Sequence, residues 1–212
     1  MVANSTVEAQ SGSSGGAIVA IGNLGRIAAV PWKNEGGQTR ELCVEPPDAD
    51  FASFVWRASV ADVGRDGVFS TFDGIARTIV LLEGGGFTMH SGEEQIHDLR
   101  ECFAPYSFPG EAQVSVQLHG APTLDFNLMI RRELADGELV AMTEQNSRRL
   151  TADTVLLYVA QGVACLSDAA GLQRQLRTGE FVQLRDAGLM PDLLCAAGAV
   201  VLAVHIRRKK PG

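Results

Sequence analysis

The chain reads as a series of short apolar runs broken by Gly, Asp and Pro. Between 51 and 60, Phe54, Trp56, Ala58 and Val60 share one face of an extended segment; Val55, Arg57 and Ser59 share the other. Thr78 to Leu82 is continuously apolar and ends in Glu83-Gly84-Gly85-Gly86, a strand meeting a glycine turn. Val114, Val116 and Leu118 alternate within 113–118. Similar short strands are predicted at 39–45, 87–90, 94–99, 102–103, 124–132 and 138–143. Further along they are predicted at 154–159, 162–166, 172–177, 180–184 and 199–206. Asp66-Gly67, Asp73-Gly74 and Asp136-Gly137 are turn signals. Structure begins at the apolar run 17–21, after a Ser/Gly-rich segment 1–16 whose composition predicts disorder. No long helical period is present; 62–72 has room for one helical turn, and 143–151 reads as an irregular connection. Many short strands between Gly and Asp turns predict an all-β sandwich or barrel.

The pattern repeats at an offset of 76 residues. Thr78-Ile79-Val80-Leu81-Leu82 lies on Thr154-Val155-Leu156-Leu157-Tyr158, Gly86 on Gly162, and Ile130-Arg131-Arg132 on Ile206-Arg207-Arg208. Leu99-Arg100 and Phe103 match Leu176-Arg177 and Phe181 after shifts of one and two residues. Anchors on predicted strands at one offset argue for duplication. Features in both copies belong to the scaffold; features in one copy are candidates for function. His90 is matched by Leu166 and Asn127 by Ala203, while the stretch Pro31 to Arg40 has no counterpart. A site is therefore expected in the first half.

Composition narrows the options. The net charge of -7 argues against nucleic acid, whose phosphates need a basic surface. The basic run Arg207 to Lys210 is read as a solubilising end to the last strand. No apolar run reaches membrane-spanning length, and no signal-like core opens the chain. Cys43, Cys102, Cys165 and Cys195 are scattered, which predicts free thiols rather than a zinc site or disulfide framework. A cytoplasmic protein is expected.

The chemistry concentrates in Pro31-Trp32-Lys33-Asn34-Glu35-Gly36-Gly37-Gln38-Thr39-Arg40. Its Lys-Asn-x-Gly-Gly run has no evident role in packing, which points to a ligand-facing loop. Trp32, Lys33, Asn34, Gly36, Thr39 and Arg40 are candidates there; Trp56, Arg57, Ser59, Arg77 and Asn127 complete a cationic, polar set. A buried guanidinium needs a carboxylate. For Arg57 and Arg77 it could come from a ligand or from Glu41, Glu83 or Asp125, and both readings stand. An Arg fork with Asn and Ser donors suits a small dicarboxylate or acylamino acid. No catalytic residue is assigned. There is no Gly-x-Ser-x-Gly elbow and no Cys with a local His signature, and Gly84-Gly85-Gly86 lacks the Lys of a phosphate loop.

Several motifs in order carry a resemblance. These are Pro-Trp-Lys-Asn with Gly-Gly and Thr-Arg-Glu, Phe54-Val55-Trp56-Arg57-Ala58-Ser59-Val60-Ala61, Asp66-Gly67-Val68-Phe69-Ser70 and Gly74-Ile75-Ala76-Arg77. Leu81-Leu82-Glu83-Gly84, Phe108-Pro109-Gly110-Glu111 and Asp125-Phe126-Asn127-Leu128-Met129 follow. Over residues 17–208 the chain resembles the HutD/Ves family. The resemblance implies a bicupin, two cupin-like β-barrels of RmlC-like jelly-roll type. The first would span 17–143 and hold the site; the second, degenerate one would span 144–208, with strands open to exchange between them and a 209–212 tail. It also implies an accessory or regulatory role in histidine utilisation, binding a small carboxylate such as formylglutamate. Glu35 stands where the family usually has Gly.

Metal-binding cupins use His-x-His with Glu and a later His. Here Gly86 to His90 offers one His, and Tyr106 to Val114 has the Pro-Gly turn without a following His. His90 and His97 lie on adjacent predicted strands but lack a carboxylate, and His119 and His205 read as structural. No metal or cofactor is expected. The resulting expectation is a metal-free binding module. Its alternatives are a metal-independent cupin enzyme using Lys33 or a His as acid or base, and a structural or partner-binding homodimer.

Overall fold

The computed structural model describes residues 17–145, 149–168, 173–186, 188 and 190–210. The Ser/Gly-rich segment 1–16 lies outside them, as do the last two residues of the 209–212 tail. The fold is all-β. In chain order the strands are β1 (Ile18–Asn23), β2 (Val30–Pro31), β3 (Gly37–Glu45), β4 (Trp56–Val63), β5 (Gly67–Val68) and β6 (Ile75–Gly84). Next come β7 (Phe87–Ser91), β8 (Glu94–Leu99), β9 (Tyr106–Pro109), β10 (Val114–Leu118), β11 (Thr123–Arg131) and β12 (Ala135–Met142). The last are β13 (Thr154–Gln161), β14 (Val163–Ser167), β15 (Gln173–Arg177), β16 (Glu180–Leu184), β17 (Asp192–Cys195) and β18 (Val200–Arg208). The one helical element described is a 3-10 turn, Leu24–Arg26, capped by Asn23.

The chain divides into two compact units. The first is Ala28–Asp136 with Arg208–Gly212; the second is Met1–Ile27 with Gly137–Arg207. The boundary after Asp136 precedes the 143/144 division expected from sequence, and β1 pairs with β16 of the second unit. The first unit holds a six-stranded sheet, β2-β3-β4-β11-β6-β9, and a four-stranded sheet, β5-β10-β7-β8. The larger sheet of the second unit is β1-β16-β13-β18-β12, and the smaller is β15-β14-β17. Each order ends on two unpaired edges, so among the described residues the sheets are open rather than closed into barrels.

Strand order supports the duplication. The run β4-β11-β6-β9 is matched by β12-β18-β13-β16, and β8-β7-β10 by β15-β14-β17. Gly86 and Gly162 both take a left-handed backbone, φ 76° and 77°. A Cβ on Gly86 would fall 1.9 Å from Leu99 O, so the turn admits only glycine. Phe103 and Phe181, matched in sequence, are not equivalent: Phe181 lies in β16, whereas Phe103 sits in a turn at φ 67°.

Three sequence expectations are corrected. The strand expected from 51 starts only at Trp56. Asp50 Oδ1 accepts from Ala52 N (3.0 Å) and Ser53 Oγ (2.6 Å), and this local turn keeps the backbone out of the ladder. The 102–103 strand is a turn, because the left-handed Phe103 cannot extend a ladder. Instead of a helical turn, 62–72 holds β5, and Phe69 N continues its pairing by donating to Val114 O at 2.8 Å.

Residues 57, 59, 61 and 63 of β4 share the face of β11 residues 123, 125, 127 and 129, by direct cross-strand pairing. Ile79 and Leu81 continue that face onto β6. There Val63, Ile79 and Leu81 pack with Phe87, Met89, Val114 and Val116 of the four-stranded sheet. This inner face positions the site.

Candidate functional site

The stretch Pro31 to Arg40 folds as a tight hairpin joining β2 and β3, with Val30 opposite Thr39 and Pro31 opposite Gln38. Trp32 N donates to Gly37 O at 2.9 Å, and Glu35 N to Trp32 O at 3.0 Å. Asn34 Oδ1 accepts from Gly36 N at 3.0 Å, an Asx turn. A Cβ on Gly37 would lie 2.2 Å from Asp62 O and 3.2 Å from the Trp32 ring, so the missing side chain lets the indole lie over the strand. Trp32 Nε1 donates to Thr39 Oγ1 at 2.7 Å. Contrary to expectation, the Lys-Asn-x-Gly-Gly run therefore serves packing, since it shapes the turn that holds Trp32. Glu35 adopts φ 54°, where glycine is at ease and other residues are strained. That explains why a glycine suits the position. The Glu35 side chain is 90% exposed and 3.7 Å from Arg65 Nη2, so its charge faces solvent.

Trp32, Asn34 and Gly36 line a cavity of about 230 Å³, walled by Val63, Val116 and Phe69, with Arg65 and Asp66 at its exposed side. Arg65 Nη2 donates to Asn34 O at 2.6 Å, and Asp66 Oδ1 accepts from Leu118 N at 2.8 Å.

Arg57, Ser59, Arg77 and Asn127 meet elsewhere, on the inner face of the six-stranded sheet. Asn127 stands opposite Ser59 and Ile79, and Met129 opposite Arg57 and Arg77, so the four occupy adjacent rows. Tyr106 extends the Asn127 row and Phe108 the Arg77 row. Arg57, Asn127, Tyr106 and His97 are half-buried.

The two arginines differ. Arg57 Nε donates to Glu41 Oε2 at 2.5 Å, and its guanidinium lies 5.1 Å over the Phe51 ring. For Arg57 the protein's own carboxylate supplies the partner. Arg77 is 7% exposed and donates Nη1 to Ser70 O at 3.2 Å. The rings of Phe108, Phe69 and Phe72 surround it at 4.9, 5.3 and 5.5 Å. No carboxylate pairs with it among the described residues, and burial lowers its pKa to about 10. It is still a cation at neutral pH. The Phe51 and Phe72 rings stack at 5.4 Å, joining the two arginines by an aromatic bridge.

Asp125 lies one row further along, between Ala61 and Leu81. It is fully buried; Thr123 Oγ1 donates to Oδ2 at 2.7 Å, and among the described residues Oδ1 has no partner. Burial pushes its carboxyl up to about 7 against the Thr123 bond, with the nearby Asp62 charge adding to the rise. His97 stacks on Tyr106 with ring centroids 3.7 Å apart, and burial lowers its pKa despite Asp98 beside it.

Other sequence candidates fall outside both places. Arg40 lies on the sheet face opposite Thr39, bound to Asp62 Oδ2 at 2.6 Å beside Gln38. Trp56 is buried on the face opposite Arg57. Lys33 is exposed in the hairpin turn. Lys33, Asn34 and Arg40, expected together in a ligand-facing loop, thus do not share one face. Nor do Lys33, His90 and Arg57 gather: His90 stands opposite Gln95, and His97 opposite Met89. Among the described residues no group of three or more His, Cys, Asp or Glu is arranged to hold a metal ion. His119 and His205 are held by Asp98 and Asp153 at 2.8 and 3.6 Å.

Sequence reading missed Asp125 as a site residue, together with His97 and Tyr106. Asp125 was recoverable, since it alternates in phase with Asn127 on a strand. The His97 and Tyr106 pairing was not, because it depends on strand order. The Phe108 to Glu111 motif is a latch: Glu111 accepts from Gly74 N (3.1 Å) and pairs with Arg132, which holds its carboxyl down to about 2.

Among relatives, Protein Ves of Cronobacter sakazakii is 36% identical over 138 residues, 65% of this chain and 74% of that protein. The structure of HutD from Pseudomonas fluorescens SBW25, in a formate condition, has a TM-score of 0.75 at 29% identity, covering 90% of this chain and 98% of that one. Oxalate decarboxylase of Lactobacillus farciminis, a formate complex, has a TM-score of 0.58 at 9% identity, covering 95% of this chain and 88% of that one; it shows a cupin-like fold alone. A family model described as HutD matches residues 25–201. The chain belongs to the HutD/Ves family.

Proposed function

We propose that this protein is a small-carboxylate-binding bicupin, an accessory or regulatory protein of histidine utilisation in the cytoplasm. In this reading each open-sheet unit is a cupin-like barrel, and the ligand is an acid such as formylglutamate held in the first. One observation carries it: Arg77 is a buried, aromatic-caged guanidinium that has no carboxylate partner among the described residues. A buried cation left this way costs stability, and an incoming carboxylate removes that cost with a charge-assisted, two-pronged hydrogen bond. Ser59 and Asn127 add donors beside it. The counter-charge is thereby assigned to Arg77 rather than to a metal.

The test is thermal melting of the full chain with millimolar formylglutamate, urocanate, histidine, glutamate or formate. A ligand at a hundred times its Kd adds about 2.7 kcal/mol by mass action. In a chain of this length that raises Tm by roughly 5 to 10 °C. The rise should vanish in Arg77→Met. Unchanged melting with every acid, or a rise that survives in Arg77→Met, overturns the reading.

A further inference from the structure

The cavity beside the hairpin is not absorbed by the carboxylate reading. Arg77 does not line it but stacks 5.3 Å from Phe69, one of its walls. Trp32, Phe69, Val63 and Val116 give it an apolar lining. Trp32 is fixed by its bond to Thr39, so the indole wall is preformed. Arg65 and Asp66, of opposite charge and adjacent in the chain, stand exposed at one side of this lining. They do not pair with each other. Arg65 uses Nη2 on Asn34 O and near Glu35, and among the described residues its Nε and Nη1 have no partner. Asp66 uses Oδ1 on Leu118 N and keeps Oδ2. At about 230 Å³ the space is smaller than a drug-sized site, which limits the occupant to a compact molecule.

An apolar lining with one cationic and one anionic group at its side complements a zwitterion bearing an apolar side chain. We propose that this cavity is a second small-molecule site that takes a free α-amino acid of apolar side chain, its carboxylate on Arg65 and its ammonium on Asp66. The side chain packs between Trp32 and Phe69. The inference stands apart from the Arg77 reading and survives its failure.

Trp32 is one of two tryptophans, and the other, Trp56, is buried and does not line the cavity, so indole emission reports this site. The full chain is titrated with L-leucine and L-phenylalanine, then with N-acetyl-L-leucine and L-leucinamide, which each lack one charge. A saturable emission change in roughly the millimolar range is expected for at least one amino acid. Both analogues should bind at least about tenfold more weakly, as should the amino acid to Arg65→Gln, each a loss of one charged anchor. Trp32→Phe should abolish the signal while keeping a cooperative melt. The proposal is overturned by no saturable change with either amino acid, or by analogues or an Arg65→Gln variant that bind equally well.

Discussion

The two units share a strand order and differ in what faces inward. In the second unit the inner positions of β13, β16 and β18 are filled by Leu157, Val159, Val182, Val201 and Ala203, a continuous apolar cluster. At the offset of 76, Val201 and Ala203 stand where the first unit has Asp125 and Asn127. Arg77 corresponds to Asp153, which is bonded to Arg207 at 2.8 Å, whereas Arg77 has no carboxylate partner among the described residues. The second unit is thus an internal control for two of these positions: the same sheet order assembles with apolar residues in place of Asp125 and Asn127. The scaffold does not require either polar group, and burying a polar group without full compensation costs stability. Groups that cost stability and are not needed for the fold are where a function is to be sought.

The sharpest way to break the comparison is Asp125→Asn. The native carboxyl titrates near 7 against an ordinary 3.8, so the folded state holds a proton that the unfolded chain has released. Stability is then full below pH 3.8, falls as pH rises towards about 7, and is flat above. The shift corresponds to at most about 4 kcal/mol. Asparagine removes the titration while keeping an acceptor for Thr123. Denaturant melts should show Asp125→Asn more stable than the parent at pH 8, with the gap closing towards pH 4. Equal stability at both pH values would mean that Asp125 finds a partner, and that the two inner faces are energetically alike.

Arg77→Met tests the other half of the contrast. In the unliganded protein, Met fills the aromatic cage with apolar volume and removes a desolvated charge. Such replacements are neutral or stabilising by about 1 to 4 kcal/mol. The expected result is an unliganded Tm equal to or above the parent. A loss of more than about 2 kcal/mol would show that the guanidinium and its bond to Ser70 hold the unit together, as in a structural role.

How far the sequence reveals this depends on which forces set each feature. Period-two and continuous apolar runs located β4, β6, β7, β8 and β11, because burial of one or both faces is written directly into residue type. The duplication was legible from Thr78 to Leu82 and its copy. Strand β9 was hidden because Tyr106 to Pro109 ends in a proline, tolerated only because the strand lies on a sheet edge. Asp50 ended the 51–53 extension through a side-chain bond that a hydrophobic pattern does not encode. For the site, residue chemistry points to Arg57, Ser59, Arg77 and Asn127, and pairing register brings them together. It points equally to Arg40 and Trp56, which fall on the opposite face, since alternation turns a neighbour in sequence away in space. Which arginine is paired is set by the reach of Glu41 across the ladder, which only the register reveals.

Asn127→Ala copies the second unit's Ala203 and removes the 3.2 Å bond from Asn127 Nδ2 to Asp125 O. That carbonyl is in a ladder already, so the loss is about 1 kcal/mol or less. The carboxylate-induced rise in Tm should shrink by more than this. A variant that loses stability yet keeps the full ligand response would make Asn127 a scaffold residue and narrow the difference between the units.

The smallest effect concerns the hairpin, which has no counterpart among the described residues of the second unit. Glu35 holds φ 54°, and a left-handed backbone costs a residue with a side chain about 1 kcal/mol or more. Glycine removes that strain but returns part of the gain as chain entropy in the unfolded state. The contact to Arg65 at 3.7 Å lies between exposed side chains, where such pairs contribute next to nothing. Glu35→Gly should therefore raise stability by about 0.5 kcal/mol, seen as roughly 1 to 2 °C in Tm. Binding at Arg77 should not change, because Glu35 faces solvent. A fall in Tm would show that the Glu35 and Arg65 pair, rather than the Asn34 turn and the seat Gly37 gives Trp32, keeps the hairpin in shape.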